Sequence, residues 1–231
     1  ARRRKSNAEK FLVLMLGGGV ILAALSFLFL RFGAESLSLS DILSAFFAFD
    51  EGEFKHVIAR DIRLPRLLAI LCTGVGMSVA GLIMQQLCMN KFVSPTTGAT
   101  ISSAQFGILL ALLFLPGSTL WGRAFFAFAA AIAGTWIFVW FIQRIQFKDV
   151  VMVPLVGIMF GNVIGGITNY LAYRYEMTQA LSSWLVGHFS LVLRGRYEIV
   201  YLVVPLVLVA FLFANHFNIV GMGRDFSQNL G

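Results

Sequence analysis

A chain of 231 residues that is 58% hydrophobic, with 23 phenylalanines and only 13% charged residues, is not composed like a soluble domain, in which roughly a quarter of residues are charged. Its formal net charge of +7 would suit a nucleic-acid surface, but the basic residues sit in clusters between long uncharged runs, an arrangement that membrane topology explains better. The expected class is therefore an all-α, polytopic membrane protein, a helical bundle with no nucleic-acid role.

Six candidate spans follow in chain order, at residues 11–30, 67–89, about 96–115, 124–142, 150–173 and about 199–214. All 18 Lys and Arg and all 11 Asp and Glu lie outside them. The first run follows "ARRRK", as a secretory leader's would. It is longer than an ordinary leader's apolar core, and no Ala-x-Ala-like cleavage site follows "FLFLRF", so it reads as a span. The basic-rich start and the denser positive charge of segments 90–95, 143–149 and 215–231 put the N-terminus in the cytoplasm.

Two outer segments are apolar but too short to cross. "SDILSAFFAF" suits a helix lying at the interface, with Ser40 as its N-cap. "SSWLVGHFSLVLRGR" carries Trp184, a residue type at home at the headgroup level.

The second span poses the functional question. Leu67 to Met89 passes without a charge yet holds three glycines, a serine, a threonine and two glutamines. At 100° per residue Gly74, Ser78, Gly81 and Gln85 share one narrow face. Small residues there permit close helix packing. Gln85 and Gln86 need partners or water at such depth. Packing against a neighbouring helix and lining a cavity or subunit seam both remain open. In the fifth span Gly157, Gly161, Gly165 and Thr168 form one face and Asn162, Gly166 and Asn169 another, which places that helix between neighbours.

No Asp, Glu, Lys or Arg is embedded in a span, so a proton relay or ion-coupled carrier has no candidate residue. His56, His188 and His216 are scattered outside the spans and read as surface or interfacial residues. Cys72 and Cys88 share one helix, about 24 Å apart along its axis, too far to bridge. No Walker lysine motif, Gly-x-Ser-x-Gly or His-Glu-x-x-His occurs, so any energy source belongs to another chain. A channel would show charged rings or a carbonyl filter, and a membrane enzyme clustered His, Asp or Glu.

Four motifs in order carry a resemblance. "RLPR" opens the glycine-rich second span, Gln85, Asn90 and Pro95 close it, "SSWLVGHFS" holds a Trp-x-x-Gly, and "GMGRDFSQNLG" leads from Gly223 to Leu230 and Gly231. Together, across nearly the whole chain, they resemble the iron-siderophore and cobalamin permease family of ABC importers. Three departures stand out: "NKFVSP" replaces the usual Asn-Pro-Leu-Ala, Pro95 lies one residue further from Ser102 than is common, and His188 stands where serine or glycine is frequent. "KFVSPTT" is similar to a subgroup associated with catecholate-type siderophores such as petrobactin.

The resemblance implies a ten-span permease of which this chain would be a single domain, residues 1–231, holding six spans and ending within the cytoplasmic loop after the sixth. It implies a bacterial cell (inner) membrane, no cofactor, a second permease subunit that is identical or a paralogue, two ATPase subunits and an extracytoplasmic substrate-binding protein. The cargo it implies is an iron-siderophore chelate, with cobalamin or haem as the alternative. By the same resemblance Gly74, Ser78, Gly81 and Gln85 line the pathway, and Arg63 and Arg66 dock the binding protein's carboxylates. Gly223, Arg224, Asp225, Leu230 and Gly231 belong to the ATPase-coupling loop. Without it, the two arginines would serve equally as headgroup anchors, and Arg224 as a plain cytoplasmic charge.

Overall fold

The computed structural model describes residues 2–97, 99–144, 152–195 and 197–221, with side chains from residue 9 onward apart from Thr97. Every regular element among them is helical. Four helices are long and apolar enough to cross a membrane: Glu9–Arg31, Phe54–Leu87, Leu120–Arg144 and Met152–Arg174. The pair Glu198–Leu212 and Ala214–Gly221, bent by 58°, makes a fifth if it is one span. The remaining expected span is the helix Thr100–Phe114, which is 15 residues long. At 1.5 Å per residue it covers about 22 Å, less than a hydrocarbon core of about 30 Å. Pro95 lies in a 3-10 turn ahead of it, and Pro116 follows its last turn.

The chain forms two compact units, Ala1–Leu71 with Phe189–Glu198, and Cys72–His188 with Ile199–Gly231. In the first, α1 (Arg2–Arg31) leads to α2 (Leu39–Phe47) and α3 (Phe54–Val57). Leu37, Ile42, Ala45, Ile58 and Ala59 form its buried core, with Leu30 and Ile62 packed on them. The cap of α2 is Ser38 rather than the expected Ser40. Ser38 Oγ accepts the Asp41 N–H at 3.1 Å, and the Asp41 carboxylate accepts the Ser38 N–H at 2.9 Å. That reciprocal box satisfies two end donors together, which Ser40 alone would not do. Lys55 Nζ adds an ion pair to Asp41 at 3.2 Å.

His56 also departs from expectation, being only 4% exposed. Its Nδ1 accepts the Asp50 N–H at 3.2 Å. Its Nε2 lies 2.8 Å from Ser44 Oγ and 3.2 Å from Glu53 Oε2. The imidazole thus ties α2 to α3 across the turn between them, a contact that no spacing in the sequence announces. His188 and His216 are exposed.

In the second unit α5 (Thr100–Phe114), α6 (Leu120–Arg144) and α7 (Met152–Arg174) pack around Leu109, Ala172 and Leu181, the last from α8 (Thr178–Leu185). α5 and α6 approach closely because Gly107 lies against the Phe126 carbonyl and Gly134 against the Ser103 side chain. Arg123, at the head of α6, stacks over Trp184 at 5.0 Å. On α7 the face of Gly157, Gly161 and Thr168 is buried, while Asn162, Gly166 and Asn169 are exposed. This helix has one neighbour-facing side within the chain and a second, polar side left open.

Candidate functional site

The candidate site is the helix α4 (Leu64–Leu87) and its N-terminal end. It continues α3 through a π-helical stretch, Ile58–Arg63, in which the Leu64 N–H reaches back to the Ala59 carbonyl. Pro65 explains the wider winding, because its ring would crowd the carbonyl four residues before it and it brings no N–H. That residue is Asp61, and its carbonyl receives the backbone N–H of Arg194 at 3.1 Å. The Asp61 carboxylate takes Arg194 Nη1 as well, at 3.0 Å.

The two arginines of "RLPR" are placed differently. Arg63 is 6% exposed. Its Nη1 donates to the carbonyls of Leu30 at 2.6 Å and Arg31 at 3.0 Å, and its Nη2 to that of Glu35. These include the terminal carbonyls of α1, which have no partner in their own helix and carry its negative dipole end. Gly33 makes room: a Cβ there would stand 2.8 Å from Arg63 Nη2. Arg66 is half-buried and donates from Nη2 to the Ser190 carbonyl at 2.7 Å, while its Nε is buried with no acceptor. Arg60 lies over the Phe49 ring at 4.3 Å. Arg63 is a helix cap in this chain; Arg66 is the one with donor capacity to spare.

Along α4, Gly74 and Ser78 are exposed, and nothing lies within 4 Å of where a Gly74 side chain would start. Ser78 Oγ returns its proton to the Gly74 carbonyl at 2.8 Å, so the hydroxyl is satisfied without a neighbour. Lower down, Gly81 meets the Pro95 ring at 3.5 Å. Gln85 Nε2 donates to the Lys91 carbonyl at 3.0 Å. The predicted face is thus open in its N-terminal half and closed at its C-terminal end by the turn after α4.

The opposite side of α4 is packed. Gly76 faces Val203 of α9 (Val203–Leu212), where a Cβ would meet its Cγ1 at 2.8 Å. Below it Val79, Leu82, Ile83 and Gln86 share a cleft of about 180 Å³ with Phe211, Phe217 and Asn218. The Gln86 side chain lies against Gly221 at the end of α10 (Ala214–Gly221). The sequence had raised Gln86 only as a costly amide; its partner is α10. A second, almost entirely apolar cleft of about 370 Å³ opens between α5, α6 and α7, lined by Ser103, Phe106, Leu110, Ile137 and Phe160 among others.

Among the described residues no group of three or more His, Cys, Asp and Glu side chains is placed to hold a metal ion. Gly223, Arg224, Asp225, Leu230 and Gly231, expected from the resemblance to belong to an ATPase-coupling loop, lie outside the described residues.

Comparison with known proteins adds the following. The family model described as the FecCD transport family matches residues 21–231. The petrobactin import system permease protein YclN of Bacillus subtilis is 45% identical over 199 residues, covering 86% of this chain and 61% of that protein. The ferric-anguibactin transport system permease protein FatD of Vibrio anguillarum is 36% identical over 202 residues, covering 87% and 62%. The chain therefore spans about three fifths of the length of these relatives. A solved metal-chelate type ABC transporter in an inward-facing conformation superposes with a TM-score of 0.73 at 23% identity, over 94% of this chain and 67% of that one. At that identity the likeness concerns the fold.

Proposed function

The chain belongs to the FecCD transport family, and from that premise we propose that it is the permease subunit of an ABC importer carrying an iron-siderophore chelate into the cell. A single observation supports this most directly. α4 keeps a small-residue face, Gly74 and Ser78, uncovered by any other part of the chain among the described residues. Such a face suits close approach by a second subunit, with a route along the seam, better than contact with lipid alone. The names of the relatives at 45% and 36% identity favour a siderophore over other cargoes.

On this reading the pathway is completed by a second permease subunit, identical or a paralogue, and Gly74, Ser78, Gly81 and Gln85 form part of its wall. Two separate ATPase subunits drive the cycle, engaging Gly223, Arg224, Asp225, Leu230 and Gly231. A substrate-binding protein docks at the outer end of α4, where Arg66 offers a guanidinium fork to a carboxylate. Arg63 contributes there by holding α1 against that end. The N-terminus is cytoplasmic, the membrane is the bacterial cell (inner) membrane, and the chain belongs to one permease domain.

The test is reconstitution of the full-length permease with its ATPase and binding protein in proteoliposomes. ATP-dependent uptake of iron-loaded petrobactin is expected. Uptake of cobalamin or haem instead would change the cargo, and ATP-independent flux of any of them would remove the importer reading.

A further inference from the structure

We propose that Asp61, Arg66 and the segment Phe189–Glu198 form a latch that an acidic docking partner opens, so that arrival of the partner is felt at the head of α4. The proposal rests on the importer reading above for its partner, the substrate-binding protein. The latch itself is built from contacts within one compact unit.

Three bonds hold the segment to the head of α4 and the π-helical stretch before it. Two join Arg194 to Asp61, through the backbone at 3.1 Å and the side chains at 3.0 Å. The third runs from Arg66 Nη2 to the Ser190 carbonyl at 2.7 Å. The ion pair is a surface one, its side chains 57% and 29% exposed. Exposed pairs contribute little net stability, so a carboxylate from outside can take Asp61's place at small cost. Arg66 is the opposite case. A carbonyl occupies one of its nitrogens while Nε stays buried and unpaired, a costly state for a charged donor group. A carboxylate spanning Nε and Nη2 would satisfy both. It can reach them once the segment lifts away.

The order of events follows. Partner carboxylates first exchange with Asp61 for the accessible Arg194. The segment then loosens from α4, and Arg66 gives up the Ser190 carbonyl for a bidentate partner. The segment is suited to move as a piece, because Glu198 folds back to accept the N–H groups of Gly195 at 2.7 Å and Tyr197 at 3.0 Å. Gly195, at φ +84°, supplies the turn beside Arg194.

The experiment uses the full-length permease with its ATPase in lipid nanodiscs, titrated at low salt with the binding protein of the same importer. Competition predicts opposite signs for the two halves of the ion pair. Asp61→Asn frees Arg194 and should tighten docking about three- to ten-fold, whereas Arg194→Gln should weaken it by a comparable factor. A static brace predicts that both substitutions loosen the segment, so weakening by both, or by neither, overturns the latch. A nitroxide on Leu193→Cys, in a chain whose free Cys72 and Cys88 are replaced by alanine, gives an independent readout. Its mobility should rise when the partner is added; unchanged mobility with the partner bound also overturns the proposal. If the unsubstituted complex binds no such protein, the importer reading fails first, and the latch loses its partner with it.

Discussion

The Arg63 guanidinium reaches 33 positions back along the chain to donate a 2.6 Å hydrogen bond to the Leu30 carbonyl, at the last turn of α1. An arginine beside a proline at the mouth of a span looks, in one dimension, like a group turned outward. It is instead consumed by the end of the first helix, and its neighbour Arg66 is the one left with an unpaired donor nitrogen. Arg63→Ala should therefore lower the stability of the detergent-solubilised full-length protein by about 2–4 kcal/mol, because three carbonyls lose a charged donor. Arg66→Ala, which removes one bond and relieves an unpaired nitrogen, should cost under about 1 kcal/mol. Thermal melting of the two variants side by side decides it; equal melting points would mean that the cap at α1 adds nothing.

Gln86 and Gly221 form a second long-range pair, joining α4 to the end of α10. A side chain at position 221 must displace the glutamine. Gly221→Val is expected to destabilise by about 1–3 kcal/mol through overpacking. Adding Gln86→Ala should recover most of that loss, giving a double-mutant interaction term well outside additivity. Additive losses would show that the two residues do not meet in the assembled protein.

The acid response of α2 follows from Asp41. The backbone N–H and side chain of Ser38, helped by Lys55, hold its carboxyl below the usual 3.8. A carboxyl whose folded value is depressed contributes its stability above the unfolded value and loses it as pH falls through the folded one. Amide protection across Leu39–Phe47 should thus be constant above about pH 4 and fall below it. Asp41→Asn should show no such acid step in hydrogen exchange. A step of the same size in the variant would assign it to another group.

The open half of the α4 face makes a chemical prediction. In the full-length permease in membranes, with Cys72 and Cys88 replaced by alanine, Ser78→Cys should react with a membrane-impermeant maleimide at least about ten times faster than a cysteine placed at the lipid-length α1, such as Val20→Cys, whose surroundings are apolar throughout. Gln85→Leu, which breaks the bond to the Lys91 carbonyl, should slow transport. Loss of stability alone, with transport rate per folded molecule unchanged, would assign Gln85 to the turn after α4.

Parts of the site were visible before any folding was considered, and for a common reason. Gly74, Ser78, Gly81 and Gln85 share a face because a helix repeats every 3.6 residues, a local rule. Where that face opens and closes was not visible, since Pro95 and Lys91 return to it through a turn whose course no periodicity specifies. Ser38 outcompeted Ser40 as a cap because Asp41 reciprocates only with the former. His56 was hidden for the same reason: Ser44 and Glu53 reach it from α2 and from the turn before α3, which meet only in the folded unit.

By itself the chain's order of residues determined that this is an all-helical membrane protein with a polar-faced second span, because the transfer of a charge or an apolar side chain is a property of each residue and adds along a helix. Tertiary structure alone decided which polar groups are consumed internally and which remain to act. Arg63 is satisfied by α1, Asp61 by Arg194, Gln86 lies against Gly221, and Arg66 keeps a nitrogen without an acceptor. Hydrogen bonds and ion pairs act over a few ångströms between residues far apart in sequence, so their partners exist only once the helices have come together.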